Sequence, residues 1–297
     1  MLRYARLRFL CTWEEGKRRI HSPLHWREDL EMALRRVACI LPRQDCGECI
    51  VKARCTYRGL FLPEEDSGGV RRERSRAPLP FALVFPEKAD PSGRFTLELT
   101  LLQPWLERLP YWLFALGRLK RSKNHPFEIM QGEEWTGVGW ERFYDGKEES
   151  VERVVRGRGP VVPDLRAGEL MLRWVRAGRL LRAGKPMAPL GFPELVEALS
   201  RRIRVLERAY GEGGWSGGRE LVEKAREVIC EPRGLRWVER HRLSRRQKTS
   251  VALGGFMGAM LLKGDLEPFG EMLSLGRDLG VGKGTGLGLG RYELCEP

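Results

Sequence analysis

Phe192, Leu195, Val196, Leu199, Ile203, Leu206 and Tyr210 recur at the interval of one helix face, the strongest amphipathic signal in the chain. A helix with a single apolar stripe must bury it against a second layer. The flanking segments supply one. Gly168 to Arg182 reads as a strand before the helix, and Leu235 to Leu243 and Val251 to Lys263 read as two strands after it. A second helix spans Leu266 to about Leu279, with Asp265 as its cap and Pro268 in its first turn. A last strand runs from Leu287 to Leu294, and Gly211 to Gly218 (GEGGWSGG) reads as a flexible loop.

The same order occurs earlier in the chain. Leu2 to Thr12 reads as a strand, Arg27 to Ile40 as a helix, and Leu79 to Phe85 and Arg94 to Leu102 as two strands. A helix from Pro104 to Leu119 follows, then strand from Phe127 to Tyr144 with a break at Gly137-Val138-Gly139. Glu64 to Pro78 is charged and rich in breakers, which marks a loop. Two β-α-β-β-α-β units predict an α+β chain of two tandem ferredoxin-like (RRM-like) domains with antiparallel sheets. The expected boundaries are 1–150 for the first domain, 151–163 for a linker and 164–297 for the second.

The 53 lysines and arginines against 40 acids give a net charge of +13, spread from Arg3 to Arg291. A basic surface of this kind favours phosphate-rich partners or acidic membranes, or is simply a solvated surface. Arg201, Arg202, Arg204 and Arg208 lie off the stripe of the Phe192 helix, as a solvated face or a phosphate-facing one. No apolar run approaches the roughly 20 residues that span a bilayer. The N-terminal apolar stretch is too short for a signal peptide. The seven cysteines, an odd number, argue against a disulfide scaffold. The cytoplasm is the expected compartment, with no membrane partner.

Near the C-terminus, GVGKGTGLGLGRYEL places glycine at every even position from Gly280 to Gly290. It is not a Walker A loop, because Gly284 stands where the Ser or Thr after Lys283 must be. It also misses the dinucleotide fingerprint, whose third glycine falls on Thr285 or Leu287. Glycines at this density permit positive φ and close backbone approach. Two readings follow. Successive amides could cradle an anion with Lys283 as a point charge, or the segment could pack tightly on its neighbours.

A second feature is Cys39-x6-Cys46-x2-Cys49-x5-Cys55. Four sulfurs in seventeen residues can close a tetrahedral zinc site, the favoured reading, and an iron–sulfur cluster uses the same number of ligands. Either would be structural. The alternative is an unmetalled loop with Cys39 buried on its helix. Cys11, Cys230 and Cys295 are isolated and read as packing residues.

Several of these segments together resemble one family. Gly254-Gly255, Gly258, Gly264-Asp265-Leu266, the helix after them, Gly280-Val281-Gly282-Lys283-Gly284-Thr285 and Gly288-Leu289-Gly290-Arg291-Tyr292 match the C-terminal signature of the CRISPR-associated repeat-processing endoribonucleases, within the RAMP superfamily of repeat-associated mysterious proteins. Arg242, Ser244, Arg246 and Gln247 also fit, as does the Phe192 helix after Gly184-Lys185-Pro186. The resemblance covers roughly Gly168 to Leu294 and is looser in the first half, where it rests on the four cysteines.

The resemblance implies an enzyme that binds CRISPR repeat RNA and cuts it without a catalytic metal. The RNA's own 2′-hydroxyl attacks the adjacent phosphate, leaving a 2′,3′-cyclic phosphate and a 5′-hydroxyl. It also implies that Gly280, Gly282, Lys283, Gly284, Thr285, Gly286 and Arg291 face RNA in the groove between the two units. Proton transfer at such a centre suits histidine, and charge stabilisation suits lysine or arginine. Of the four histidines, His21 and His25 flank the entry of the first helix, where the resemblance places the catalytic region. His25 is the expected acid or base, with His21 as its alternate and Arg27 alongside as an RNA contact. Lys17, Arg18 and Arg19 could add charge there. His125 and His241 each lie in a basic run. The run Arg240 to Lys248, with Arg242, Arg245, Arg246, Gln247 and Lys248, forms a basic hairpin for an RNA stem or a solvated turn. The chain is expected to act as a monomer or homodimer. The alternative reading is a non-catalytic RAMP subunit that binds guide RNA among other subunits of an effector complex.

Overall fold

The computed structural model describes residues 2–13, 23–63, 77–86, 89–120, 127–215, 217–243 and 248–297. The contacts divide the chain into two units, Tyr4–Arg158 and Gly159–Pro297, the second taking in Met1–Arg3.

In the first unit the elements are β1 (Tyr4–Trp13), α1 (Pro23–Ala38), α2 (Thr56–Phe61), β2 (Phe81–Val84), β3 (Arg94–Leu102), α3 (Leu109–Lys120), β4 (Phe127–Trp135), β5 (Trp140–Asp145) and β6 (Ser150–Val151). They form one antiparallel sheet in the order β2-β3-β1-β4-β5-β6. The first four strands of that order are the ferredoxin-like arrangement, and α1 and α3 pack side by side.

Alternation along β1 buries Leu7, Phe9 and Cys11, which sit opposite Leu99, Leu97 and Phe95 of β3. A one-residue slip would turn that whole set to the other face. Trp26 of α1 is fully buried, stacked on Phe85 at 5.8 Å and ringed by Trp13, Phe95 and Phe127.

The first unit departs from the sequence reading in several places, among them the helix expected from Pro104, which is a 3-10 turn over Gln103–Arg108 before α3 begins at Leu109. The Phe127–Tyr144 segment is a hairpin, closed where Thr136 N–H donates to the Gly139 carbonyl at 2.9 Å. α1 begins four residues early, opened by Pro23, whose missing N–H is harmless in a first turn. The segment 151–158, expected as linker, belongs to this unit. Val151 pairs with Tyr144, and Tyr4 and Arg158 exchange two backbone hydrogen bonds of 2.9 Å.

The second unit comprises β7 (Glu169–Gly178), β8 (Leu181–Arg182), β9 (Lys185–Pro186), α4 (Phe192–Tyr210), α5 (Arg219–Lys224), β10 (Ile229–Val238), β11 (His241–Leu243), β12 (Ser250–Ala252), β13 (Gly255–Lys263), α6 (Gly270–Leu279) and β14 (Tyr292–Cys295). The main sheet runs β10-β13-β7-β14, again ferredoxin-like. The α4 stripe is buried and meets α6, with Phe192 against Phe269 at 4.9 Å. Tyr292 ties β14 to α6 by donating its hydroxyl to the Leu273 carbonyl at 2.7 Å, and burial pushes its phenol far up.

Several expectations shift here too: the strands expected over Leu235–Leu243 and Val251–Lys263 are each split in two, and the one expected to reach Arg182 ends at Gly178. β10 starts six residues before Leu235, because Pro232 is tolerated on an edge strand. Asp265 is exposed and caps nothing, since a 3-10 turn over Glu267–Phe269 intervenes before α6. The last strand begins only at Tyr292, because Thr285–Leu287 is a 3-10 turn.

Candidate functional site

The glycine stretch joins α6 to β14 as a series of tight turns. Gly282 has φ +85°, and a Cβ there would stand 2.5 Å from the Arg179 carbonyl oxygen. Gly290 has φ +76°, and a Cβ there would overlap the Val281 carbonyl. The amides of Gly280, Val281, Lys283, Leu287, Gly288, Leu289 and Gly290 all donate to backbone carbonyls of the same unit. Tight packing therefore explains most of the glycines, and the anion cradle is largely closed.

What the turns leave outside is narrow. Lys283 is exposed, flanked by the half-buried Gly282 and Gly284, and its own N–H is fixed to the Arg179 carbonyl at 3.0 Å. Gly280, Thr285, Gly286 and Arg291 are buried, so they do not offer an RNA surface. Arg291, only 6% exposed, donates to the Asp278 carbonyl at the end of α6, a structural role for a cation expected on RNA.

Two arginines that the motif does not mark converge on this frame. Arg202 of α4 donates Nη2–H to Thr285 Oγ1 at 3.1 Å. Its Nε is buried without a partner, it makes no ion pair among the described residues, and burial drops its pKa from 12.5 to about 10. Arg179, in the turn after β7, donates to the Gly254 carbonyl at 3.1 Å and lies 5.8 Å from the Trp237 ring. Arg202 stood in a run of arginines whose spacing could not tell the buried one from its solvated neighbours.

The basic run Arg240–Lys248 is a hairpin. β11 pairs with β12 through His241↔Ala252, Arg242↔Val251 and Leu243↔Ser250. Arg242 and Lys248 are exposed, and His241 Nε2 lies 3.4 Å from Glu239. Ser244, Arg245, Arg246 and Gln247, at its tip, lie outside the described residues.

In the first unit, His25 sits half-buried in the first turn of α1, not ahead of the helix. Arg27 does not stand beside it. Residues two apart on a helix point to nearly opposite sides. Arg27 instead pairs with Glu31 at 2.9 Å and lies 4.2 Å over the Phe61 ring, fastening α1 to α2. It is a packing cation, not a free phosphate contact. His21, His125, Lys17, Arg18 and Arg19 lie outside the described residues.

The cysteine insert leaves α1 at its C-terminal end. α1 stops at Ala38, so Cys39 lies just past the helix rather than on its buried face. Cys39, Cys46, Cys49 and Cys55 are all free thiols and line one cavity of about 270 Å³. Burial raises the Cys46 thiol above its ordinary pKa; Arg35 opposes this, and the nearby Cys39 and Cys55 add to it. Among the described residues no three His, Cys, Asp or Glu side chains stand close enough to hold a single ion.

Comparison with known proteins follows the two units. A family described as AF_1859_N, an N-terminal domain, matches residues 2–154. The family described as CRISPR-associated endoribonuclease Cas6 matches residues 169–292. The fold is similar to that of a Thermus thermophilus Cas6, with 16% identity, 99% of each chain covered and a TM-score of 0.52. It is also similar to a structure described as a Cas6-related gene from Pyrococcus furiosus, at 10% identity, 99% of each chain and a TM-score of 0.50. No curated protein matches the sequence. No helix among the described residues is long and apolar enough to cross a membrane.

Proposed function

We propose that this chain, whose residues 169–292 match the family of CRISPR-associated endoribonuclease Cas6, binds precursor CRISPR RNA and cuts it within the repeat, without a metal ion in the chemistry. The observation that carries the reading is the Cas6 match over 169–292, lying on a ferredoxin-like unit whose glycine turns hold Lys283 out to solvent. A solved Thermus Cas6 of this fold is described as a product complex, at 16% identity and a TM-score of 0.50.

Each group has a part in this reading. Lys283 meets an RNA phosphate as a point charge on a rigid frame. Arg202, a half-buried cation with no carboxylate partner among the described residues, is stabilised when an anion comes near. Arg242 and Lys248 on the exposed hairpin add sequence-independent affinity and place the RNA. His25 moves a proton. As base it takes the 2′-hydroxyl proton while the 2′-oxygen attacks phosphorus. A second group returns a proton to the departing 5′-oxygen. The products are a 2′,3′-cyclic phosphate and a 5′-hydroxyl, with no water consumed.

The test is incubation with the cognate repeat RNA in excess EDTA, followed by analysis of both new ends. A cyclic phosphate and a 5′-hydroxyl are expected. Cleavage abolished by EDTA, or a 5′-phosphate product, overturns the mechanism. Tight binding with no cleavage in either condition leaves a guide-RNA-binding subunit.

A further inference from the structure

We propose that the cysteine insert of the first unit binds a cubane [4Fe–4S] cluster through Cys39, Cys46, Cys49 and Cys55, and not zinc.

The first argument is size. Four thiolates on one zinc, each about 2.3 Å from the ion, must lie roughly 3.8 Å from one another. The four thiols here share a cavity, but no three converge enough to hold one ion. A cubane has its ligands on four outer corners, with a core of iron and sulfide between them, so its thiolates stand farther apart. A cavity of about 270 Å³ ringed by four sulfurs suits such a core. A single ion would leave most of it empty.

The second argument is the lack of any other interior. The insert spans Cys39 to Cys55 without an element longer than a three-residue 3-10 turn, Lys52–Arg54. Loops of this length need something to organise them. Ile40 is 73% exposed and Ile50 82%, and Leu41 and Val51 are only half-buried beside the cavity, so the insert's apolar residues close no core of their own. Of the insert's four cysteines Cys49 is the most buried, at 8% exposed, and the other three are half-buried. The loop's ends are firmly held. α1 precedes it, and α2 follows with Leu60 and Phe61 in the core. The ends are fixed by packing, and the middle is gathered around the sulfurs.

The third argument is charge. Four thiolates on an oxidised core of charge +2 leave a net charge of −2, which is costly to hold near a protein interior unless it is matched. Lys52, Arg54, Arg58 and Arg108 line the same cavity. Arg58 also donates to the Cys46 carbonyl at 3.2 Å, and Lys52 to the Gly47 carbonyl at 3.2 Å, so both side chains are already held at the ligand loop. Assembly of a core of charge +2 takes two ferrous ions, two ferric ions and four sulfides, so no separate oxidant is needed, and each thiol gives up its proton on ligation. No electron-transfer role is required. The cluster serves as a brace.

The test uses the full chain, purified without oxygen and reconstituted with equal amounts of ferrous and ferric iron and with sulfide. About four iron and four sulfide per chain, with a brown chromophore, are expected. Cys46→Ser and Cys49→Ser should lose the bound iron, while Cys230→Ser, outside the insert, keeps it. If the first two variants misfold, as circular dichroism would show, the stoichiometry of the parent still decides. One zinc per chain that iron and sulfide do not displace overturns the proposal. So does about two iron per chain, or no bound metal at all. The result is independent of whether the chain cuts RNA.

Discussion

Replacing Gly290 by alanine tests whether the glycine turns exist for packing. The residue has φ +76°, a region that costs an L-residue roughly 1–2 kcal/mol. An added Cβ would overlap the Val281 carbonyl, so the backbone must move. Two hydrogen bonds depend on its present position: Gly290 N–H to Ala177 O at 2.9 Å and Val281 N–H to Gly290 O at 3.0 Å. Each contributes about 1 kcal/mol. Alanine gains back up to about 1 kcal/mol by restricting the unfolded chain. The net loss is about 3 kcal/mol, a large share of the 5–15 kcal/mol typical of a domain. Gly184→Ala is the control. It has φ +81° but nothing within 4 Å of the added Cβ, so it carries only the conformational strain. Urea titration of both variants, followed by tryptophan fluorescence, gives the comparison. A Gly290→Ala variant no less stable than Gly184→Ala would refute the packing argument.

Other substitutions separate stability from RNA binding. Lys283→Ala should leave stability within about 0.5 kcal/mol and reduce the salt dependence of RNA binding by about 0.7–0.9 in slope, one phosphate's worth; an unchanged slope removes Lys283 from the interface. Arg291→Met should lower stability by about 1–3 kcal/mol through loss of its buried hydrogen bond to the Asp278 carbonyl, with no change in that slope. Arg202 should behave in the opposite sense. Its folded pKa of about 10 lies well below the ordinary arginine value, so its charge burdens the folded state fully at every pH below about 10, and the burden fades as pH rises above that. Arg202→Gln should therefore raise the melting temperature at neutral pH and weaken RNA binding; a lower melting temperature with unchanged affinity would show a purely structural arginine. Trp26→Ala should destabilise the first unit by about 3–5 kcal/mol, read by thermal melting.

The parts of the fold that could be read in the sequence were those set by periodicity. The α4 stripe is buried as expected from Phe192 to Leu206, and the alternation in β3 puts Phe95, Leu97, Leu99 and Leu101 inside. Periodicity failed where tertiary position overrode local signals. The strand expected from Leu235 begins at Ile229 and holds Pro232, because the edge of the sheet asks nothing of its missing N–H. The site was legible as a motif and not as roles. An arginine's sequence does not say whether its guanidinium meets a phosphate, an aromatic ring or a carbonyl. Arg27 turned to Phe61 and Glu31, and Arg291 to Asp278, because the packed neighbours offered partners. The glycine spacing pointed to the right segment, yet most of its amides close turns within the fold. Lys283 stood out because it was the lone cation among glycines, and the structure leaves it exposed.

The most direct measurement of the central claim is single-turnover cleavage of the repeat RNA in EDTA by the parent and His25→Ala, with RNA affinity measured for both. The account predicts that the parent cuts, and that the variant binds as tightly but cuts roughly 10²–10⁴-fold more slowly, the usual range for losing one proton-transfer group. A variant that cuts at the parent's rate would contradict the assignment of His25, and a parent that binds the repeat without cutting it would contradict the enzyme.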